Sequence, residues 1–357
     1  MVQTLQRIAS AVHSAITRVR PWEADVVLSK ARLGVLLNAR AKRVGKRVIQ
    51  RFAARIDAPD LFVTHDLQEA ERAVDALLNG GYDGIWLGGG DGTITHALNL
   101  MAERGRAEAF HRPLPPIGVL ALGTGNGLAH LLGAHDPEED LRYGLFEEPR
   151  ASVELPLVDC DGFAVPFGSI GYDARVLNDY ASMTASSDAR WARSLAGYVA
   201  AVATKTIPAE LGRPPAHYRV CAVGRSSAID RETSEEVPLP PDAVLYEGPA
   251  RAVLFGTSPY YGYGLKALPQ ARKRKDRFQI RISTAPVLHL LSNLPSIWRG
   301  TTRTPHFHDF LVEQVRITCD RPEPAQLAGE ALGERDAMTL RLGPERFPLI
   351  APGRLRP

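Results

Sequence analysis

The segment that most constrains the fold is Asp83-Gly84-Ile85-Trp86-Leu87-Gly88-Gly89-Gly90-Asp91-Gly92-Thr93-Ile94-Thr95. A short apolar run ends in three glycines, an acid, a fourth glycine and a threonine. Beyond it, Ile94, Ala97, Leu98 and Met101 recur at helical spacing. The pattern predicts a strand, a glycine turn and a helix that begins at Thr93 or Ile94. Glycine permits positive φ and lets a ligand come within reach of backbone amides. The helix would aim its unpaired N–H groups and the positive end of its dipole into the same space. Such a place suits phosphate. A βα turn without a ligand needs fewer glycines, each of which costs roughly 1 kcal/mol of chain entropy. The segment is not the dinucleotide fingerprint, because counting from Gly88 puts Thr93 where the third glycine should be. Nor is it a Walker A loop, because no Gly-Lys-Ser/Thr follows.

The neighbouring sequence repeats the pattern. Leu33–Leu37 reads as a buried strand, followed by a basic turn (Arg40, Lys42, Arg43) and a helix near Lys46–Arg55. Leu61–Thr64 is a second strand and Leu67–Leu78 a helix stopped by Gly80-Gly81. After the opening segment, Ile117–Leu122 makes a fourth strand. It enters a second glycine turn, Gly123-Thr124-Gly125-Asn126-Gly127, and a short helix, Leu128–Leu132. Alternating strands and helices imply a parallel sheet with right-handed crossovers, and ligands of such sheets sit beyond the carboxyl ends of the strands. Both glycine turns lie at such ends, so they can line one crevice. From about residue 151 the texture changes to short apolar segments between turn residues, including His217–Val223, Ala252–Gly256, Phe278–Ser283 and Val315–Cys319. These predict a second, mainly antiparallel β domain. One helix around Arg190–Thr206 interrupts it, and residues 225–250 read as an exposed loop. The expected class is α/β: a Rossmann-like phosphate-binding domain over residues 31–150 and a β-rich domain over 151–350.

The chain of 357 residues, 45% hydrophobic and 23% charged, can bury two proper cores. A net charge of +3 is too small to point to nucleic acid. Three scattered cysteines give neither a disulfide framework nor a zinc cluster, which fits a reducing cytoplasm. No apolar run approaches the ~20 residues that span a bilayer, and no cleavable leader is visible. Residues 1–30 form a separate amphipathic segment. Leu5, Ile8, Val12, Ile16 and Val19 share one helical face, and Arg7, Arg18 and Arg20 come with no acid in residues 1–22. That segment either packs on the protein surface or lies in the plane of an anionic membrane.

These motifs resemble the diacylglycerol kinase catalytic family of lipid kinases, which includes sphingosine and ceramide kinases. Gly89-Gly90-Asp91-Gly92-Thr93 resembles the family's nucleotide loop, and Leu122–Asn126 with Leu128-Ala129 its second loop. Gly171-Tyr172-Asp173-Ala174 is similar to its glycine–aromatic–aspartate element. Pro259–Gly264 with Pro269 and Ala271 is similar to its substrate-domain signature, and Gly329-Glu330 to the end of its Asp-Gly-Glu element. The resemblance implies Mg²⁺-assisted transfer of the γ-phosphate of ATP to a lipid hydroxyl, on a diacylglycerol or sphingoid-type lipid, by a peripheral protein at the cytoplasmic membrane face. Carried over by position, Thr64, Gly89, Gly90, Asp91, Gly92, Thr93, Ile94, Thr95, Gly123, Thr124, Gly125 and Asn126 would contact ATP. Glu330 would accept the proton, Asp173 would face the substrate, and Asp276 would fall on a structural magnesium site. A homodimer through an exposed sheet edge is compatible with this.

The chemistry agrees with first principles. Phosphoryl transfer is mostly positioning and charge neutralisation, and a carboxylate that accepts the hydroxyl proton assists it. Asp91 is placed to engage Mg²⁺, or, more plainly, to hydrogen-bond its own loop. Four positions depart from the family pattern. Gly127 and Ala328 stand where acids are usual, Ala39 where a proline is, and Arg277 where a glycine is. Arg277 and the run Arg272-Lys273-Arg274-Lys275 weaken cation affinity at Asp276. His306 and His308, two apart, are too few ligands for a metal. Two other functions share these features: a soluble NAD kinase, which has the same Gly-Gly-Asp-Gly-Thr loop, and a nucleotide-binding regulator without turnover.

Overall fold

The structure, a computed structural model, describes residues 31–107, 113–146, 152–185, 197 and 200–352. The amphipathic segment 1–30 lies outside the described residues, as does most of the helix expected at Arg190–Thr206.

Fourteen strands form one sheet. At its N-terminal end, β1 (Leu33–Asn38), β2 (Leu61–Thr64), β3 (Gly84–Gly89) and β4 (Ile117–Ala121) run parallel in the order β4-β3-β1-β2. The central strands are apolar on both faces because helices cover both. Leu33, Val35, Leu37, Trp86 and Leu120 face a core that includes Phe52 and Leu141. Leu36, Ile85, Leu87, Ile117 and Val119 face the other, with Val74, Leu77, Leu98 and Met101 from the helices Leu67–Asn79 and Asp91–Arg106. The period-two alternation of the strands meets the period-3.6 stripes of the helices. Asp66 caps the first of these helices by accepting from the Glu69 amide at 2.8 Å.

The remaining strands are mainly antiparallel: β5 (Ser152–Cys160), β6 (Phe163–Val165), β7 (Phe167–Gly171), β8 (Ala216–Ile229), β9 (Glu236–Leu239), β10 (Val244–Ala250), β11 (Ala252–Gly256), β12 (Phe278–Ser283), β13 (Phe307–Leu327) and β14 (Glu330–Ile350). Their inward faces form a further core around Ile170, Tyr218, Phe255, Phe278, Ile317 and Leu340. β14 returns to the N-terminal sheet, where Leu349 pairs with Ile117 of β4 and Phe347 and Leu349 join the core of β3 and β4. β5 does the same with Val153, Leu155 and Leu157. Two long strands thus tie the halves together, and the start of β14 is held across the cleft from the end of β3.

The expected class holds, with two differences. The helix after the first glycine turn begins at Asp91, so Asp91 and Gly92 belong to its first turn. Residues 225–250, read from sequence as a loop, contain the end of β8 and all of β9 and β10. β9 pairs only with β8, and its run Glu236-Val237-Pro238-Leu239 has the charge and proline typical of an edge strand. These residues imitate a loop because edge strands are protected by loop-like chemistry.

Candidate active site

The two glycine turns meet through their backbones. A Cβ on Gly123 would lie 2.3 Å from the Cα of Gly90, so no larger residue fits where the turns cross. The second turn is held by Asn126, which sits at φ 54 with its side chain folded back. Its Oδ1 accepts from the Gly123 amide at 2.9 Å and its Nδ2 donates to the Gly123 carbonyl at 3.1 Å. Asparagine tolerates the left-handed region because its short polar side chain can bond locally.

Asp91 locks the turns together. Its carboxylate accepts from the amides of Gly127 at 3.0 Å and Leu128 at 3.1 Å, capping the helix Gly127–Leu132 from a neighbouring element. Burial pushes its pKa up, opposed by those amide bonds. Asp91 is therefore a buried fastener rather than a loose turn carboxylate, and its two oxygens already have protein donors.

Around these turns opens a cleft of about 420 Å³, within the size range of small-molecule sites. One end is lined by Asn38, Arg40, Lys42, Gly90–Thr93 and Gly123–Gly125. It combines cationic side chains with the N-terminal turn of the helix Asp91–Arg106. Thr93 is fixed there by the Asn38 side-chain amide, which donates to its hydroxyl at 2.8 Å. The other end is lined by Leu177, Tyr180, Tyr263, Leu265 and Trp298. Lys42 stands 5.5 Å above the Tyr180 ring, at the junction of the two ends.

Glu330 lines the same cleft. Leu327 and Glu330 pair across a two-residue turn, Ala328 at φ 49 and Gly329 at φ 85, which starts β14. The Glu330 carboxylate reaches the first turn so closely that a Cβ on Gly92 would lie 2.7 Å from its Oε1. The residue is exposed overall, and partial desolvation of its carboxyl raises its pKa. Behind the turn, Gln326 accepts from the Gly329 amide at 2.8 Å and donates to Ser169 at 3.1 Å and to Asp173 at 3.3 Å. Ser169 also donates to Asp173 at 2.6 Å, and burial pushes that carboxyl's pKa up. Asp173 lines the cleft as part of a network that reaches the Glu330 turn.

Seven of the twelve residues expected to contact nucleotide line this cleft: Gly90, Asp91, Gly92, Thr93, Gly123, Thr124 and Gly125. Five do not. Thr64 is buried at the end of β2 and lines a different groove. Gly89 backs onto Thr93, and Asn126 serves its own turn. The helix start at Asp91 turns Ile94 into the apolar core and buries Thr95. Gln326, Leu177, Tyr180 and Trp298 were missed by the sequence reading. Only the position of Gln326 ahead of Gly329-Glu330 could have drawn notice.

Asp276 lies in a cationic setting. Arg274 binds it at 3.1 Å, with Arg225 at 3.6 Å and Arg277 at 3.9 Å, and Arg274 holds its pKa low. Guanidinium groups already neutralise it, so these residues do not suit a magnesium ion. Among the described residues no three His, Cys, Asp or Glu converge as metal ligands. His306 meets His289 edge-on, with ring centres 4.8 Å apart, and His308 packs near Tyr246.

With this geometry in view, residues 32–151 match the family model of the diacylglycerol kinase catalytic domain. A crystal structure of a diacylglycerol kinase from Bacillus anthracis str. Sterne superposes with TM-score 0.57 at 12% identity, covering 92% of this chain and 99% of that one. A second structure from that organism, provisionally assigned as a diacylglycerol kinase, gives 0.60 at 15% identity, covering 90% and 98%. No curated protein matches the chain significantly.

Proposed function

We propose, from the match of residues 32–151 to the diacylglycerol kinase catalytic domain model, that the chain is an ATP-dependent lipid kinase. It transfers the γ-phosphate to the hydroxyl of a diacylglycerol or sphingoid-type lipid. The observation that carries this reading is the Glu330 carboxylate set against Gly92 of the first glycine turn, in a cleft that Leu177, Tyr180 and Trp298 also line. Residues 31–150 take the nucleotide and residues 151–350 present the acceptor. The protein works from the cytoplasmic side at a membrane surface, and no helix among the described residues is long and apolar enough to cross a membrane.

On this reading the triphosphate lies along the crossed turns, with Arg40 and Lys42 offsetting its charge. The acceptor hydroxyl arrives from the side of Leu177, Tyr180 and Trp298. As its oxygen bonds to the γ-phosphorus, Glu330 takes its proton, and the bond from that phosphorus to the β–γ bridging oxygen breaks to leave ADP. Partial desolvation at the cleft favours the proton-accepting role, because a raised carboxyl pKa makes a stronger base. Magnesium would neutralise charge on the phosphates. With both Asp91 oxygens engaged by amides, phosphate oxygens and water would supply most of its ligands, as Mg²⁺ commonly accepts.

The test is incubation of purified protein with γ-labelled ATP, a total lipid extract and NAD in one reaction. Label in a lipid is the expected result. Label in a phosphorylated dinucleotide would establish the NAD kinase reading instead. ATP binding without transfer to either would establish a regulator, the reading that the missing acid at Ala328 favours.

A further inference from the structure

At the rim of the apolar end, the helices Val287–Ser292 and Leu294–Arg299 form a short hairpin. Trp298 from this hairpin lines the cleft, and its carbonyl accepts from the Lys266 amide at 2.9 Å. Val287 is buried, but Leu288, Leu291 and Leu294 are 63%, 39% and 41% exposed. The neighbouring helix Ile207–Leu211 adds Leu211, also 63% exposed. Exposed leucines grouped on one element call for a partner surface.

The charge around them is one-sided. Between Asp276 and Asp309 the sequence contains no Asp or Glu, whereas Arg299 and Arg303 flank the leucines. Directly behind the hairpin, Gly300–Thr304 closes a polar cavity of about 260 Å³ that Arg231, Arg281 and Arg303 also line. His289 and Thr304, 3.0 Å apart, tie the hairpin to this cavity. Its two acids are engaged. Asp309 binds Arg281 and Gln279, and Asp230 accepts from the amides of Glu232 and Thr233 while offsetting part of the Arg231 charge. Arg231 and Arg303 are exposed, and neither has an ion-pair partner among the described residues.

We propose that this hairpin docks on an anionic phospholipid bilayer, with Leu288, Leu291 and Leu294 entering the acyl boundary and a headgroup phosphate held between Arg231 and Arg303. An amphipathic helix in the interface plane buries its apolar face about 5–10 Å deep. Each basic residue near such a surface is worth about a fivefold gain in partitioning. The choice of bilayer over other partners rests on the lipid-kinase reading, since the docked hairpin opens directly onto the acceptor end through Trp298. A second copy of the chain fits poorly. Two six-residue helices offer far less than the about 800 Å² per partner of a stable protein interface.

The experiment is sedimentation of the full chain with phosphatidylcholine vesicles, with and without phosphatidylglycerol. Three proteins are compared: wild type, a Leu288→Ser/Leu291→Ser/Leu294→Ser variant, and an Arg231→Gln/Arg303→Gln variant. The leucine variant is expected to lose binding to both vesicle types. The arginine variant is expected to lose only the phosphatidylglycerol increment, about 25-fold for the two charges together. Wild-type binding by both variants overturns the proposal, as does dimer dissociation in the leucine variant without any vesicle binding. Phosphorylation of a dispersed short-chain acceptor, run in parallel, should be unchanged in both variants. Vesicle binding as expected without any kinase activity would leave the docking surface standing and remove the kinase reading. The reverse outcome would do the opposite.

Discussion

The two walls of the cleft are built by different means. The wall that would hold phosphate is built on backbone: two glycine turns touch at Gly90 and Gly123, and Arg40 and Lys42 line the cleft around them. The wall that would present the acceptor is side chain: Asp173 and Gln326, far apart in sequence, meet through a hydrogen bond, and Gln326 also accepts from the Gly329 amide beside Glu330. Each wall contains a carboxyl whose pKa desolvation raises, Asp91 buried and Asp173 half-buried, and their partners show the contrast. Asp91 accepts from two backbone amides, which can only donate. Asp173 accepts from a serine hydroxyl and a glutamine amide, which can rearrange. A backbone wall fixes a ligand common to many reactions, and a side-chain wall can change its acceptor.

If Glu330 joins the walls chemically, its removal should give the largest effect. Glu330→Gln keeps the size of the side chain, so ATP affinity by calorimetry should hold while kcat falls by about 10²–10⁴. Because partial desolvation raises the Glu330 pKa, kcat/KM should climb as pH passes through that raised value, and the climb should vanish in the variant. Equal losses in ATP binding and turnover would make Glu330 part of the phosphate wall and break the comparison.

The crossing of the turns comes next. Gly123→Ala puts a methyl group 2.3 Å from backbone that cannot rotate away. Overpacking of this kind costs about 1–3 kcal/mol in stability. We expect a lower denaturant midpoint together with lost ATP binding. Normal nucleotide affinity would mean that the turns need not touch.

Paired substitutions sharpen the contrast between the carboxyls. Asp91→Asn turns one acceptor into a donor facing an amide N–H, which should cost about 1–3 kcal/mol. Asp173→Asn should cost less, since Ser169 can reorient. The pH dependence has a definite sign. A carboxyl whose folded pKa is raised contributes stability that is complete below its unfolded value and is lost as pH rises through the folded one. Asp173→Asn should therefore flatten the decline in stability above the ordinary carboxylate range. Unfolding curves at several pH values will show this, and an unchanged slope would place the ionisation elsewhere.

This division also explains what could be read in the sequence. The phosphate wall is encoded locally: strand, glycines and helix lie within a dozen residues, so the turns could be found and assigned to one crevice. Which of their residues face the ligand depended on where the helix starts. A start at Asp91, two or three residues early, turns Ile94 into the core. The acceptor wall has no local signature. The role of Gln326 depends on a turn that carries Glu330 back to Gly92, and Leu177, Tyr180 and Trp298 become lining only once the sheet has folded. Resemblance alone drew attention to Glu330. At Asp276 the basic run nearby had weakened the case for a metal from sequence, and in the structure its carboxylate pairs with Arg274 and Arg225.

The smallest effect should come from the turn that presents Glu330. Ala328 adopts φ 49, a left-handed conformation that costs a non-glycine residue about 1–2 kcal/mol. Two-residue turns with both φ values positive favour asparagine or aspartate followed by glycine, and here only the glycine is present. Ala328 is buried among apolar side chains, so in Ala328→Asn relief of the left-handed strain competes with burial of an amide, and stability should change by less than about 1 kcal/mol, measured as a denaturant midpoint at unchanged slope. Ala328→Asp should meet the same competition and also place a carboxylate beside Glu330 at the cleft. If the acceptor wall is adjustable, the aspartate should change turnover while the asparagine leaves it alone. If both variants fold and neither changes turnover, the side chain at 328 takes no part in the reaction and its acid is dispensable in this chain.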